Sequence, residues 1–110
     1  MNIKEDLQLE RDDETLRAML IGEIDHHCVK KMREKIDKEI FSAKPEVLVL
    51  DFSRVRFMDS SGIALIIGRA ELCGEFGIGV RLSGLSGNLK KLISLSGVDK
   101  ISNIIILTNS

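Results

Sequence analysis

Glu46-Val-Leu-Val-Leu-Asp-Phe-Ser-Arg-Val-Arg-Phe-Met-Asp-Ser-Ser-Gly62 joins two kinds of pattern in one stretch. Glu46 to Ser53 reads as a strand. Its run Val47-Leu48-Val49-Leu50 is apolar on both faces, as expected of a central strand covered by helices on one side or both. From Ile63 the apolar positions take a helical period. Between the two, Met58-Asp59-Ser60-Ser61-Gly62 sets Asp, Ser and Gly in helix-start order. A helix start presents unpaired N–H groups and the positive end of a dipole. The pentapeptide therefore reads either as a plain cap or as a place to carry phosphate on a serine. Ser60 is the serine that such a start exposes. Ser61 is expected to turn into the first helical turn and spend its hydroxyl on capping.

Working outward, the helix from about Ser61 to about Phe76 is expected to turn Ile63, Ile66, Ile67, Ala70 and Cys73 to the sheet. Its opposite face carries Ala64, Leu65, Gly68 and Leu72 where charge is usual. Either another element covers this strip or it is a docking surface. Upstream, Ile3 to Glu10 and Thr15 to Ile21 alternate as strands around the polar turn Arg11-Asp12-Asp13-Glu14, which predicts an antiparallel hairpin. Gly22 to Asp25 leaves the second strand, with Asp25 or His26 as N-cap of a helix. That helix places Val29, Met32, Ile36 and Ile40 on one face and ends before Pro45. Downstream follow a strand over Gly77 to Ser83, a helix over Ser86 to Ser96 stopped by Gly97, and a last strand over Ile104 to Leu107. Strands alternate with helices from the third strand onward. The predicted fold is a single α/β domain with a mixed, mainly parallel sheet, an N-terminal antiparallel strand and helices packed on it.

The chain has 110 residues, enough for one core without disulfides or metal. Its 16 basic and 17 acidic residues balance to a net charge of -1, which speaks against a nucleic-acid partner. No stretch approaches the ~20 apolar residues of a membrane span, and the N-terminus shows no signal peptide. These features point to a whole, unprocessed, cytoplasmic protein with no membrane partner. Cys28 and Cys73 lie far apart on apolar sides of helices and read as reduced thiols.

Enzymatic readings find little support in the residues. Asp51 follows an apolar strand like the phosphoacceptor of a receiver domain, with Asp12-Asp13 as a conceivable magnesium pair, but a strand rather than a helix follows that pair. Ser60 lacks the nucleophile elbow and any downstream histidine. His26 and His27, adjacent at a helix start, point roughly 100° apart and share no metal ion easily. Gly74 to Gly79 follows a helix, so it is no phosphate loop. No cofactor and no metal are expected.

With these residues in place, the chain resembles the anti-sigma factor antagonists of the STAS domain family, most closely the sporulation type. The matching segments are Leu20-Ile-Gly-Glu-Ile-Asp-His-His27 and Leu48-Val-Leu-Asp-Phe-Ser-Arg-Val-Arg-Phe-Met-Asp-Ser-Ser-Gly-Ile-Ala-Leu-Ile-Ile-Gly-Arg69. The resemblance implies one STAS domain over residues 1–110 and a binding protein rather than an enzyme. It implies a partner switch. The unphosphorylated protein binds an anti-sigma factor that is also a serine kinase, a sigma factor is released, and phosphorylation inactivates the antagonist until a serine phosphatase restores it. The phosphoacceptor falls on Ser60. The contact surface is expected to take in Gly22, Glu23, Asp25 and His26, then Asp59, Ser61 and Gly62 around the serine, and the strip Ala64, Leu65, Gly68 and Leu72. A STAS module of a general stress pathway is the alternative, and an Asp51-phosphorylated receiver-like domain a more distant one.

Overall fold

The polar segment after Glu10 folds as a tight turn between two antiparallel strands in a computed structural model that describes residues 6–108. β1 (Leu7–Asp12) and β2 (Thr15–Ile24) pair directly up to Asp12 opposite Thr15, so only Asp13 and Glu14 form the turn. Asp13 takes a positive φ of 49°, a conformation that Asp tolerates better than most residues. Ile3, expected in the first strand, lies outside the described residues.

α1 (Val29–Ala43), β3 (Val47–Met58), α2 (Ser60–Glu75), β4 (Gly79–Ser83), α3 (Gly87–Ser96), a 3₁₀ turn (Val98–Lys100) and β5 (Ile104–Ile106) follow. The sheet order is β1-β2-β3-β4-β5, with every pair after the first parallel. The order of elements is the one expected; the 3₁₀ turn is an addition. Each crossover advances one strand in the same direction. Right-handed crossovers that never reverse direction set all their helices on one face.

That face holds the core. Leu16, Ala18 and Leu20 of β2, Leu48, Leu50 and Phe52 of β3, and Val80 and Leu82 of β4 are buried. Met32, Ile36 and Ile40 of α1, Ile66, Ala70 and Cys73 of α2, and Leu89 and Ile93 of α3 pack into the same cluster. The opposite face carries Arg17, Val49 and Arg81 side by side in the ladder. Val49 is only 6% exposed there. Long arginine stems beside an apolar residue can shield it while their charges stay in water. The two-faced apolar run of β3 thus needed helices on one side only.

Two strand ends run well beyond the sequence reading. β3 continues to Met58, because it takes extra residues against β2: Met19 faces Asp51, Ile21 faces Arg54 and Glu23 faces Phe57. Such bulges break the alternation by which a strand is read. β2 likewise continues through Gly22 and Glu23 to Ile24. Gly22 is buried with φ +87°, which suits glycine at this irregular stretch.

Candidate functional site

Parallel pairing brings the ends of β2 and β3 to one edge of the sheet, with Ile24 opposite Met58. The Asp59 N–H donates to the Ile24 carbonyl at 3.2 Å. The segment after β2 and the turn into α2 are therefore tied side by side.

Asp59 is the N-cap of α2. Its extended backbone turns the chain, and its Oδ1 accepts the Ser61 N–H at 2.8 Å. The Asp59 carbonyl accepts the Gly62 N–H at 3.0 Å. This corrects the expectation for Ser61. Asp59 supplies the cap, and Ser61 is a half-buried residue of the first turn. Ser60 is exposed at the first helical position. Gly62 is buried, and a Cβ there would overlap the Met58 side chain, so the helix start sits tightly on the end of β3.

The segment after β2 is a turn before it is a helix. Asp25 Oδ1 accepts the His27 N–H at 2.9 Å, while the Asp25 carbonyl accepts from Cys28 and Val29 at 3.2 Å. The helix N-cap is Cys28, without a side-chain cap, rather than Asp25 or His26. His26 and His27 do not splay apart as on a helix. Their exposed rings lie against each other, tilted by 38° with centroids 3.9 Å apart. Among the described residues no cluster of three metal-ligating side chains exists. Glu23 is exposed, with Arg56 at 4.0 Å across the strands. Gly22, by contrast, is buried inside β2 and presents no surface.

The outward strip on α2 is only partly outward. Ala64 is exposed and Gly68 and Leu72 are half-buried, but Leu65 is 3% exposed and belongs to the core. The buried positions of α2 are Gly62, Leu65, Ile66, Arg69, Ala70 and Cys73, at helical spacing. The expected pair Ile63 and Ile67 is half-buried. The reason is α1, which packs beside α2 and rotates the buried arc toward itself. Arg69 concealed this arc because a charge interrupts the apolar pattern. It is 5% exposed, and its Nε lies 2.6 Å from Asp37 Oδ1 on α1. The contact is an ion pair between the two helices. Burial pushes the Asp37 carboxyl up and the Arg69 guanidinium down, with the opposite charge of each partner working against the shift.

A groove remains between the two helices. α1 contributes Val29 and Arg33 to it. α2 contributes Ser61, Ala64, Leu65, Gly68 and Arg69. A second hollow lies toward α3, where Phe57 and Met58 meet Leu89 and Leu92. Phe57 is 54% exposed two residues from Asp59. The sequence reading missed Phe57 and Arg33. A phenylalanine two residues before the helix cap was the available signal for the first; nothing local marked the second.

Asp51 is occupied elsewhere. Its Oδ2 accepts from Arg17 at 3.2 Å and its Oδ1 from the Ser53 N–H at 2.9 Å, on the helix-free face. Asp12 and Asp13 sit at the hairpin turn, beside Thr15, which pairs with Val47 at the start of β3. They do not meet Asp51.

Residues 6–108 match the STAS domain. The chain belongs to the STAS domain family. This STAS chain is 32% identical over 104 residues to the anti-sigma F factor antagonist of Paenibacillus polymyxa, covering 94% of this chain and 87% of the relative. It is 29% identical over 105 residues to the anti-sigma-B factor antagonist of Listeria monocytogenes, covering 94% and 90%. It superposes on the Bacillus cell fate determinant SpoIIAA in the phosphorylated form with a TM-score of 0.72, at 33% identity, covering 94% of this chain and 92% of that one. Among the described residues no helix of the STAS fold is long and apolar enough to cross a membrane.

Proposed function

We propose that this chain is an anti-sigma factor antagonist, a binding protein rather than an enzyme, switched by phosphorylation of Ser60. Unphosphorylated, it binds an anti-sigma factor that is also a serine kinase and so frees a sigma factor. Phosphorylated, it lets go, and a serine phosphatase restores it. The observation that carries this reading is the exposure of Ser60 at the first position of α2, between a capping Asp59 and a groove with an apolar floor. Phosphate would add a charge of about −1.5 to −2 there. The helix dipole tolerates it within the domain. A partner packed over the groove has to desolvate it, which is costly without cations of its own. Phosphorylation then blocks association while the fold stays intact.

The site residues divide by position. Glu23, His26, Ser60 and Ala64 are exposed at this edge and offer contacts, with Gly68 and Leu72 at its margin. Asp25, Asp59 and Gly62 shape the edge from within. The test is phosphorylation by an anti-sigma factor kinase of the same cell, followed by mass spectrometry. Phosphate on Ser60, its loss in Ser60→Ala with binding retained, and release of the partner on modification are expected. Phosphate mainly on Ser61 or Ser53 would sink the assignment. Similarity to the sigma-B antagonist keeps a general stress pathway as a second reading of the same switch. The sigma factor freed in a pull-down decides between the two.

A further inference from the structure

Gly68 lies in the middle of α2, where glycine costs about 1 kcal/mol relative to alanine. Nothing inside the protein asks for it. A Cβ built there meets no atom within 4 Å, whereas one on Gly62 overlaps Met58. The space over Gly68 belongs to the groove between α1 and α2, whose floor is Leu65. The charges of this groove are unequal in a telling way. Arg69 is held by Asp37 at 2.6 Å. Arg33 is exposed and, among the described residues, makes no close ion pair, although its charge acts on Asp37 one turn along α1. The groove therefore offers an apolar floor, a missing side chain in its wall and one exposed cation that no carboxylate closely pairs, and it opens at Ser61, next to the serine of the proposed switch.

We propose that this groove seats a segment of the anti-sigma partner that presents an apolar side chain beside a carboxylate. The apolar group enters the space left by Gly68, and the carboxylate meets Arg33. An apolar side chain in a groove with a charge at its rim is a common way to seat a partner helix. The anti-sigma partner, rather than a second copy, is the occupant because the groove opens at Ser61, beside the serine of the proposed switch. The inference rests on the anti-sigma antagonist reading above.

Gly68→Ala and Arg33→Gln test it together, by melting and by calorimetric titration with the purified anti-sigma factor at low and high salt. Gly68→Ala is expected to melt higher, by roughly 4–8 °C, since helix propensity improves and nothing is displaced. It is expected to bind about tenfold more weakly, because the added methyl occupies the partner's space. Opposite movement of stability and affinity is the signature of a glycine kept for a partner. Arg33→Gln is expected to melt like the parent, to bind roughly fivefold more weakly at low salt, and to lose most of that difference at high salt. If the parent binds and both variants bind equally well, the groove is idle and the inference falls while the function stands. If the parent binds no anti-sigma factor, the function reading falls and takes the inference with it. A change in self-association in place of partner binding also overturns it.

Discussion

Replacing Asp59 by alanine and by asparagine separates two contributions of one carboxylate. Its Oδ1 accepts the Ser61 N–H at 2.8 Å, and its charge sits at the positive end of the α2 dipole. Alanine removes both. Losing an N-cap acceptor costs about 1 kcal/mol, within a range of roughly 0.5–2. For a domain of this size that corresponds to a fall in Tm of roughly 4–8 °C. Asparagine keeps an acceptor and loses only the charge, whose interaction with the dipole is worth about 0.3–1 kcal/mol. Its melting point is expected between the other two. Thermal and urea melts followed by circular dichroism measure the series. The proposed phosphorylation of Ser60 supplies a second readout, since alanine is expected to fray the turn that presents the serine. If the alanine variant melts with the parent, the cap does not hold this helix end. If asparagine falls as far as alanine, the charge matters rather than the acceptor. Either result refutes the argument.

Leu65→Ala is expected to cost about 2–5 kcal/mol, the usual range for a buried leucine, and Leu65→Glu to unfold the protein rather than to imitate phosphorylation; normal melting of the glutamate variant would show that the side chain escapes into the groove. Asp37→Ala leaves the Arg69 charge buried without its partner and is expected to cost about 3–5 kcal/mol, while Asp37→Leu with Arg69→Met recovers most of it in a double-mutant cycle; an additive double variant would contradict this. Burial pushes the Cys73 thiol up to about 11, above the ordinary thiol range, so between about pH 9 and 11 it stays protonated in the folded protein while the unfolded chain ionises. Stability is then complete below about pH 9 and declines as pH rises toward 11, a decline that Cys73→Ala is expected to flatten. Thiol labelling at pH 8 is expected to reach half-buried Cys28 in the native protein and Cys73 only after unfolding.

Local chemistry alone determined much of this protein. Alternation around Asp12 and Asp13 announced the hairpin, helical spacing from Val29 to Ile40 announced α1, and Asp59-Ser60-Ser61-Gly62 announced the start of α2 with Ser60 outward. These signals act within one turn of helix or one strand, and they single out Ser60 as the candidate site. What they do not carry is the direction in which an element is approached by its neighbours. Leu65 reads as surface until α1 is placed beside α2. Arg69 breaks the apolar period of α2, and its burial is explained only by Asp37 across the helix pair. β3 reads as ended at Ser53 until its bulges against β2 are seen. Gly68 and Arg33 carry no motif, and their groove exists only because two helices from opposite sides of β3 in sequence meet on one face of the sheet. Period and capping depend on residues a few positions apart, whereas the buried arc of a helix depends on which partner removes water from it, and that partner is chosen by the packing of the whole chain.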